Sequence, residues 1–345
     1  MKDVMPVLSV LDLSPINEGG TASTALNNSL DLARQAERIG YHRYWVAEHH
    51  NMRGIASAAT SVVIGHIAGG TERIRVGAGG IMLANHAPLM VAEQFGTLEA
   101  LYPGRIDLGL GRAPGTDGIT AQALRRTLNS DPNKFPQDVL ELKQFLSPPQ
   151  ENQRVTAVPG CDTNVPLYIL GSSLFGAQLA AILGLPFAFA SHFAPQALMQ
   201  ALDIYRENFE PSETLDKPYV ILGYNIVAAE TEAEAVFLRS SSLQAFVNLR
   251  KGNPGPLPAP VENLEAHLKP EEQMLLQQVS SASAVGTGEQ VKEQVDAFVS
   301  QTDADELIVV AQIFDHAARV RSYEIAYEAI TNTKDEIPQA SVSQA

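Results

Sequence analysis

The sequence is short of cysteine and of clustered positive charge. Cys161 is the only cysteine among 345 residues, so the chain can form neither an internal disulfide nor a thiolate metal cluster, and we expect a reducing, cytoplasmic setting. No basic run is longer than Arg125-Arg126, and the net charge is −15. Because neutralising phosphates takes clustered lysine and arginine, this balance argues against nucleic acid as a partner.

Long apolar runs are scarce as well, with one exception between Asp162 and Asp203, where no Asp, Glu, Lys or Arg occurs. The apolar centre of this stretch, residues 173–191, has nearly membrane-spanning length. Gly184 and Pro186 interrupt it, so the pattern favours a buried helix followed by a buried strand. We therefore expect no membrane association.

Short β-rich runs alternate with amphipathic helical segments along the whole chain. Eight strands are predicted at residues 6–13, 44–47, 73–80, 105–110, 167–170, 187–190, 219–228 and 306–311. Eight strands with helical crossovers favour a (β/α)8 TIM barrel over an open doubly wound sheet. We treat residues 1–337 as one domain and expect the polar tail at 338–345 to be disordered.

A long insertion separates the seventh and eighth predicted strands. Residues 252–260, GNPGPLPAP, contain too much proline for a helix or a central strand, and a helix is predicted over Val261–Val279. Barrel loops of this length are often functional, so we expect residues 250–286 to form a mobile flap, with a structural spur as the alternative. Thr287 and Gln290 predict a capping box that begins the next helix.

The carboxyl end of the second strand carries the sequence Glu48-His49-His50. Reactive residues of a parallel barrel gather at such strand ends. A single histidine of this pair suits proton transfer because its pKa lies near neutral pH, whereas a histidine held in a loop hydrogen bond is the alternative. No metal site is expected, since adjacent strand residues point to opposite sides and no further ligand cluster is evident.

Glycines, hydroxyls and one arginine follow the next strands. Gly77–Gly80 allow a planar ring to approach the backbone, or form only a tight bend. Arg112 can clamp a phosphate or carboxylate, or form a surface ion pair. Ser172 and Ser173 precede a helix and form an anion cradle with its free amides, or serve as plain N-caps. Together they predict a phosphate-bearing cofactor. His192 can face the same mouth, but a purely structural role is favoured for it.

Four long stretches of the sequence resemble the bacterial luciferase-like flavin monooxygenases, in particular the single-chain group similar to alkanal monooxygenase. The resemblance runs from about Pro6 to Ile330. Its motifs are WVAEHH at 45–50, VGAGGIMLANHAPLMVAEQFGTLEALYPGRIDLGLGRAPG at 76–115, LGSSLFGAQLAAILGLPFAFASHFAP at 170–195 and VGTGEQV at 285–291.

The resemblance implies a barrel that uses reduced FMN and molecular oxygen. A C4a-peroxyflavin would oxygenate a small organic substrate, often an aldehyde. A separate flavin reductase would supply the reduced FMN, because no nicotinamide-binding fingerprint is visible. Relatives pair through barrel helices, so a homodimer is expected by analogy. The alternatives are a deazaflavin-dependent oxidoreductase and a non-catalytic protein that stores flavin.

The resemblance also assigns roles to individual residues. His49 corresponds to the histidine that manages protons beside the flavin, and Gly79-Gly80 to a non-prolyl cis peptide under its ring. The positions that hold the FMN phosphate correspond to Arg112, Ser172, Ser173 and the amide of Gly176.

The sequence departs from the light-emitting members of the family at two positions. Gly111 stands where they carry a reactive cysteine, and Ser172 where they carry an acidic residue. Because Gly111 lacks the cysteine side chain that would help to shape the flavin environment, light emission and specificity for long-chain aldehydes are not expected.

Overall fold

The computed structural model describes residues 5–113, 118–124 and 132–332, and its centre is a closed parallel barrel. The strands are β1 Val7–Asp12, β2 Arg43–Val46, β3 Arg75–Met82, β4 Ile106–Gly111, β5 Leu167–Gly171, β6 Phe187–Phe189, β7 Val220–Ala228, β8 Ser283–Gly286 and β9 Glu306–Val310. Their order is β6-β5-β4-β3-β2-β1-β9-β7-β8, and β6 also pairs with β7. Eight strands thus close a ring, and β8 is added outside it, against β7.

Helices connect the strands and surround the ring, which confirms the predicted (β/α)8 barrel. The described helices are α1 Ala22–Ile39, α2 Thr60–Gly69, α3 Pro88–Leu101, α4 Gly118–Leu124, α5 Phe135–Leu146, α6 Leu174–Leu183, α7 Leu198–Glu207, α8 Glu232–Arg250, α9 Leu264–His267, α10 Pro270–Ser280, α11 Gly288–Thr302 and α12 His316–Thr331. Residues 173–191 contain α6 and β6, as expected for a buried helix followed by a buried strand. None of the described helices is both long enough and apolar enough to cross a membrane.

Helix α1 shows how the local sequence sets these elements. The Thr21 hydroxyl accepts a hydrogen bond from the Thr24 amide and so satisfies one free donor of the first turn. The face with Leu32 and Ala36 is fully buried against the barrel. Gly40 ends the helix at φ 114°, in the left-handed region that glycine tolerates best.

A buried charged layer fills the amino-terminal half of the barrel. Arg43 lies 2.8 Å from an Asp107 carboxylate oxygen and 2.9 Å from a Glu306 oxygen, and Arg75 lies 2.6 Å from Asp107. An apolar layer that includes Trp45 lies above it. Because both layers are closed by side chains, a ligand site has to lie at the carboxyl end of the strands.

The insertion after β7 differs from its prediction in two details. The helix predicted over Val261–Val279 is divided into α9 and α10, because Pro270 occupies the first turn of a new helix. The strand β8 was not predicted, since four residues carry too little periodicity. The capping box of Thr287 and Gln290 is confirmed.

Residues 252–260 form no helix, as predicted, and pack against the loops that follow β1 and β2. The Leu257 amide donates to the Ile16 carbonyl at 2.8 Å, and the Leu257 carbonyl accepts from the Glu18 amide at 2.9 Å. A side chain at Gly54 would lie 2.1 Å from the Gly255 carbonyl oxygen. Movement of 250–286 as a flap stays a prediction, and the tail expected to be disordered lies outside the described residues.

Candidate active site

Arg112 and the start of helix α6 come together at the carboxyl rim of the barrel. Arg112 directly follows β4, and its guanidinium carbon lies 4.2 Å from the centre of the Phe175 ring in the first turn of α6. Within the described ranges, no carboxylate pairs with this guanidinium. The cation is therefore positioned beside Ser172 and Ser173 with its donors available to a ligand.

The two serines are exposed at the amino terminus of α6. Ser173 occupies the N-cap position with an extended backbone, yet its side chain makes no capping hydrogen bond to the described helix. The plain N-cap interpretation therefore does not account for its hydroxyl. Two hydroxyls and the unpaired amides of a helix start are donors suited to an anion.

Gly176 brings this helix start close to its strand. A side chain there would lie 3.3 Å from both the Gly171 Cα and the Phe187 ring, which is tighter than ordinary contact. Its small size lets the first turn of α6 sit directly on the end of β5. The structure thus brings Arg112, Ser172, Ser173 and Gly176 together.

Gly79 and Gly80 form a side-chain-free patch of backbone on β3. The peptide bond between them is cis, as the resemblance implies. A side chain on Gly79 would lie 2.7 Å from the Leu11 side chain, and one on Gly80 would lie 2.5 Å from the Gly109 carbonyl oxygen. Contact of this patch with a flavin ring stays a prediction.

Gly111 is enclosed by a neighbouring side chain. A Cβ atom there would lie 2.8 Å from the Met82 sulfur. The Met82 side chain therefore occupies the space that a larger residue at position 111 would need.

Glu48 holds two histidines at the end of β2. Its buried carboxylate lies 2.7 Å from His50 Nε2 and 2.9 Å from His86 Nε2, and it accepts a hydrogen bond from the Met82 amide at 3.0 Å. Burial favours the neutral acid, but the hydrogen bonds from His86, His50 and Met82 outweigh it and lower the pKa of the Glu48 carboxyl.

The donor atoms of Glu48, His50 and His86 all lie within 4.8 Å of one another, which also suits a cation. The Glu48 carboxylate already accepts hydrogen bonds from His50, His86 and the Met82 amide, so hydrogen bonding accounts for this cluster. Sequence reasoning missed it. Residues 48 and 50 share one side of the chain, but His86 arrives from the turn after β3, and only the fold shows that approach.

His49 and His192 lie near each other at the same rim. The imidazole of His192 packs on Gly223, where a Cβ atom would lie 2.1 Å from its Nδ1. Burial, together with repulsion from His49, lowers the pKa of His192 to about 4, so its imidazole is neutral at neutral pH. A glycine inside an apolar strand, such as Gly223, is a sequence signal from which this close approach could have been predicted.

A parallel eight-stranded barrel with Arg112, a serine-lined helix start and histidines at its carboxyl rim defines the class of (β/α)8 barrel proteins that bind their ligand at that end. The family model described as luciferase-like monooxygenase matches residues 7–121 and 120–305. The chain belongs to this family and is an oxidoreductase.

Curated relatives match nearly the whole chain. A luciferase-like monooxygenase of Escherichia coli K12 is 54% identical over 328 residues, covering 95% of this chain and 98% of the relative. The N-acetyl-S-alkylcysteine monooxygenase of Bacillus subtilis is 33% identical over 338 residues, covering 95% and 99%.

Solved structures share the fold. The crystal structure of apo-MsnO8 has a TM-score of 0.88 at 35% identity and covers 96% of this chain and 99% of its own. The oxygenating constituent of 3,6-diketocamphane monooxygenase from Pseudomonas putida, solved with FMN, has a TM-score of 0.71 at 16% identity, covering 97% and 100%. An F420-dependent secondary alcohol dehydrogenase has a TM-score of 0.69 at 15% identity, covering 95% and 99%. At these last identities the likeness concerns the fold alone.

Proposed function

We propose that this protein is an FMN-dependent monooxygenase that uses reduced FMN and molecular oxygen to oxygenate a small organic substrate. The observation that carries the proposal is the Arg112 guanidinium stacked on Phe175 at the exposed serine start of α6. A planar cation, two hydroxyls and free helix amides suit a terminal phosphate monoester. FMN ends in such a group, so the residues present fit it.

The other site residues at the carboxyl rim suit the flavin ring, at the opposite end of FMN from the phosphate. The patch of Gly79 and Gly80 offers a flat backbone surface, and His49 lies at the rim as a proton-transfer group. Reduced flavin, when bound, supplies the oxygen chemistry. The chain would bind and orient it, hold a proton at His49 and exclude water with residues 250–286.

Calorimetric titration with FMN and with riboflavin tests the phosphate site, since riboflavin lacks the phosphate. We expect the wild-type protein to bind FMN at least about tenfold more tightly than riboflavin, and Arg112→Ala to abolish most of that difference while leaving riboflavin affinity unchanged. Arg73→Ala, which changes an arginine with a 74% exposed side chain, is the matched control. Equal affinities of the wild-type protein for the two flavins would contradict the proposal.

The His49→Ala variant tests the catalytic assignment separately. It should bind FMN with wild-type affinity but lose product formation by about 100-fold or more, since a positioned proton-transfer group contributes on that scale. Stopped-flow reaction of bound reduced FMN with oxygen, followed by product analysis, measures this loss. Full turnover in the variant would show that another group handles the proton.

A deazaflavin-dependent oxidoreductase is the second candidate, favoured by the fold likeness to the F420-dependent alcohol dehydrogenase. The relative named N-acetyl-S-alkylcysteine monooxygenase supports the oxygenase instead. Competition between FMN and a deazaflavin for the wild-type protein separates the two. Oxygen uptake that yields only hydrogen peroxide across a panel of aldehydes and other metabolites would favour the flavin-storage alternative.

The proposed partners are a separate flavin reductase and a second copy of the chain, in the cytoplasm. Exposed apolar side chains on neighbouring helices α2 and α3 support a homodimer: Val62 is 70% exposed, Met90 56% and Leu101 62%. Exposed apolar side chains on two adjacent helices suit a subunit interface. Light scattering of the wild-type protein and of Val62→Asp tests this, with a monomeric wild-type protein contradicting it.

A further inference from the structure

His192 lies at the carboxyl rim of the barrel, and the proposed function assigns it no role. It follows β6, and two hydrogen bonds tie its loop to β7: the Ser191 hydroxyl donates to the Gly223 carbonyl at 2.7 Å, and the Asn225 side-chain amide donates to the His192 carbonyl at 2.8 Å. The ring is seated on the bare backbone of Gly223. Two strands therefore fix the imidazole in one orientation.

The two ring nitrogens have different surroundings. Nδ1 is buried against Gly223, and no atom of the described residues hydrogen bonds to it. The His192 side chain as a whole is only partly buried, and its Nε2 atom remains accessible from the mouth of the barrel at the carboxyl ends of the strands. A neutral imidazole carries a single N–H group. A proton on Nδ1 would point at the Gly223 backbone with no acceptor, so the proton belongs on Nε2.

We propose that His192 is a second catalytic residue, whose neutral imidazole donates a hydrogen bond from Nε2 to a carbonyl-type oxygen of the ligand bound beside His49. The inference rests on the proposed function, because it needs a ligand in that cleft. Water satisfies an accessible N–H group in the empty cleft, and an acceptor oxygen on a bound ligand can take the place of that water. His49 next to it then has the complementary task of accepting or releasing a proton.

Charge supports the same assignment. The depressed pKa of His192 keeps its ring neutral at neutral pH, so His192 does not itself take up the proton that we assign to His49. A neutral donor polarises a carbonyl without supplying its own proton at neutral pH. The acceptor oxygen can belong to the flavin ring or to a carbonyl substrate, and the experiment distinguishes these.

Nitrogen NMR of histidine-labelled protein tests the tautomer without any turnover. Two-bond proton–nitrogen correlations of the ligand-free protein should show His192 as the Nε2–H tautomer, and they should keep that form at pH 6. The His192→Gln spectrum identifies the signal by its loss. An Nδ1–H tautomer, or a ring that is protonated at pH 6, would overturn the proposal.

Three substitutions at position 192 test the donor itself. The glutamine amide reaches the place of Nε2, the asparagine amide reaches only that of Nδ1, and leucine removes both donors. Affinity for FMN is measured by fluorescence titration, and the steady-state parameters for octanal are measured with reduced FMN. We expect His192→Leu and His192→Asn to lose about tenfold in one of these quantities and His192→Gln to retain it. Thermal unfolding shows whether each variant is folded.

The outcomes show whether the acceptor oxygen belongs to the flavin or to the substrate. They also distinguish failure of the His192 proposal from failure of the proposed function. A loss in FMN affinity places the acceptor oxygen on the flavin, whereas an unchanged FMN affinity with a loss in kcat/KM for octanal places it on the substrate. Wild-type affinity and kinetics in all three variants would overturn the role of His192. A wild-type protein that binds no FMN would instead overturn the proposed function.

Discussion

At the scale of single residues, Glu48 shows what the sequence conceals. The motif at 48–50 predicts a proton-transfer histidine, and it gives Glu48 no role beyond that of a metal ligand, which the sequence does not favour. In the fold Glu48 is the centre of the cluster, with His50 and His86 on its oxygens and the Met82 amide donating to it. Sequence spacing predicts which residues share a face, but the meeting of two strand ends depends on the closed barrel.

Replacement of Glu48 by glutamine tests the stabilising role of this cluster. Three donors converge on the carboxylate, so the new side-chain amide of the Glu48→Gln variant would face at least one of them in a buried place. We expect the free energy of unfolding to fall by about 2–3 kcal/mol. Urea unfolding measures this, with Glu72→Gln, whose carboxylate is exposed, as the matched control that loses almost nothing. Equal stability of the two variants would show that Glu48 contributes no structural hydrogen bonding.

The residues assigned to phosphate binding were accessible to sequence reasoning for a different reason. Arg112, Ser172 and Ser173 each directly follow or end a strand with a clear apolar pattern, and the rule that barrel ligands bind at strand ends then groups them. The contact of Arg112 with Phe175 was not predicted. Stacking depends on side-chain directions that the spacing of residues does not contain.

At the scale of elements, the strong periodic patterns were predicted well and the insertion was predicted less well. Strands of the ring lie within one or two residues of their predicted positions, because each is a short, largely apolar segment between helical segments. Strand β8 exists only through its pairing with β7, so its four residues had no local signal. Pro270 begins a new helix within the insertion, so the single predicted helix is divided there. A proline can begin a helix at such a position, but the sequence alone does not require the division.

The segment at 252–260 is expected to open as a unit from the loops that it covers. Leu257 is 3% exposed and carries both backbone hydrogen bonds to residues 16 and 18. Leu257→Ala should weaken this contact, so the amides of Leu257 and Glu18 should exchange hydrogen about 10–100-fold faster while those of the ring strands stay unchanged. Hydrogen exchange with mass or NMR detection measures it.

Leu140→Ala, which shortens a leucine that is 51% exposed on α5, provides the control for that experiment. It should leave exchange at residues 16–18 and 257 as in the wild-type protein. If Leu257→Ala instead accelerated exchange evenly across the barrel, the segment would belong to the cooperative core, and a separate flap movement would be contradicted.

At the scale of the whole molecule, the neutral His192 links the site to stability in acid. Its pKa is about 4 in the folded protein, against an ordinary value of 6.5, because of burial and the nearby His49. Above pH 6.5 both the folded and unfolded chains keep it neutral. Between pH 6.5 and 4 the unfolded chain takes up a proton that the folded chain refuses, so stability falls as the pH falls.

His192→Gln removes this proton uptake and leaves the depressed carboxyl groups of Glu48 and Asp12 in place. These carboxylates also lose their stabilising effect in acid, so both proteins should weaken, but the wild-type protein should weaken more. We expect its free energy of unfolding to fall by about 1–3 kcal/mol more than that of the variant between pH 7 and pH 4. Urea unfolding at several pH values measures the difference. If the free energies of unfolding of the two proteins instead fell equally with pH, His192 would have the same pKa in the folded and unfolded chains. That result would contradict the proposal that His192 stays neutral as a hydrogen-bond donor.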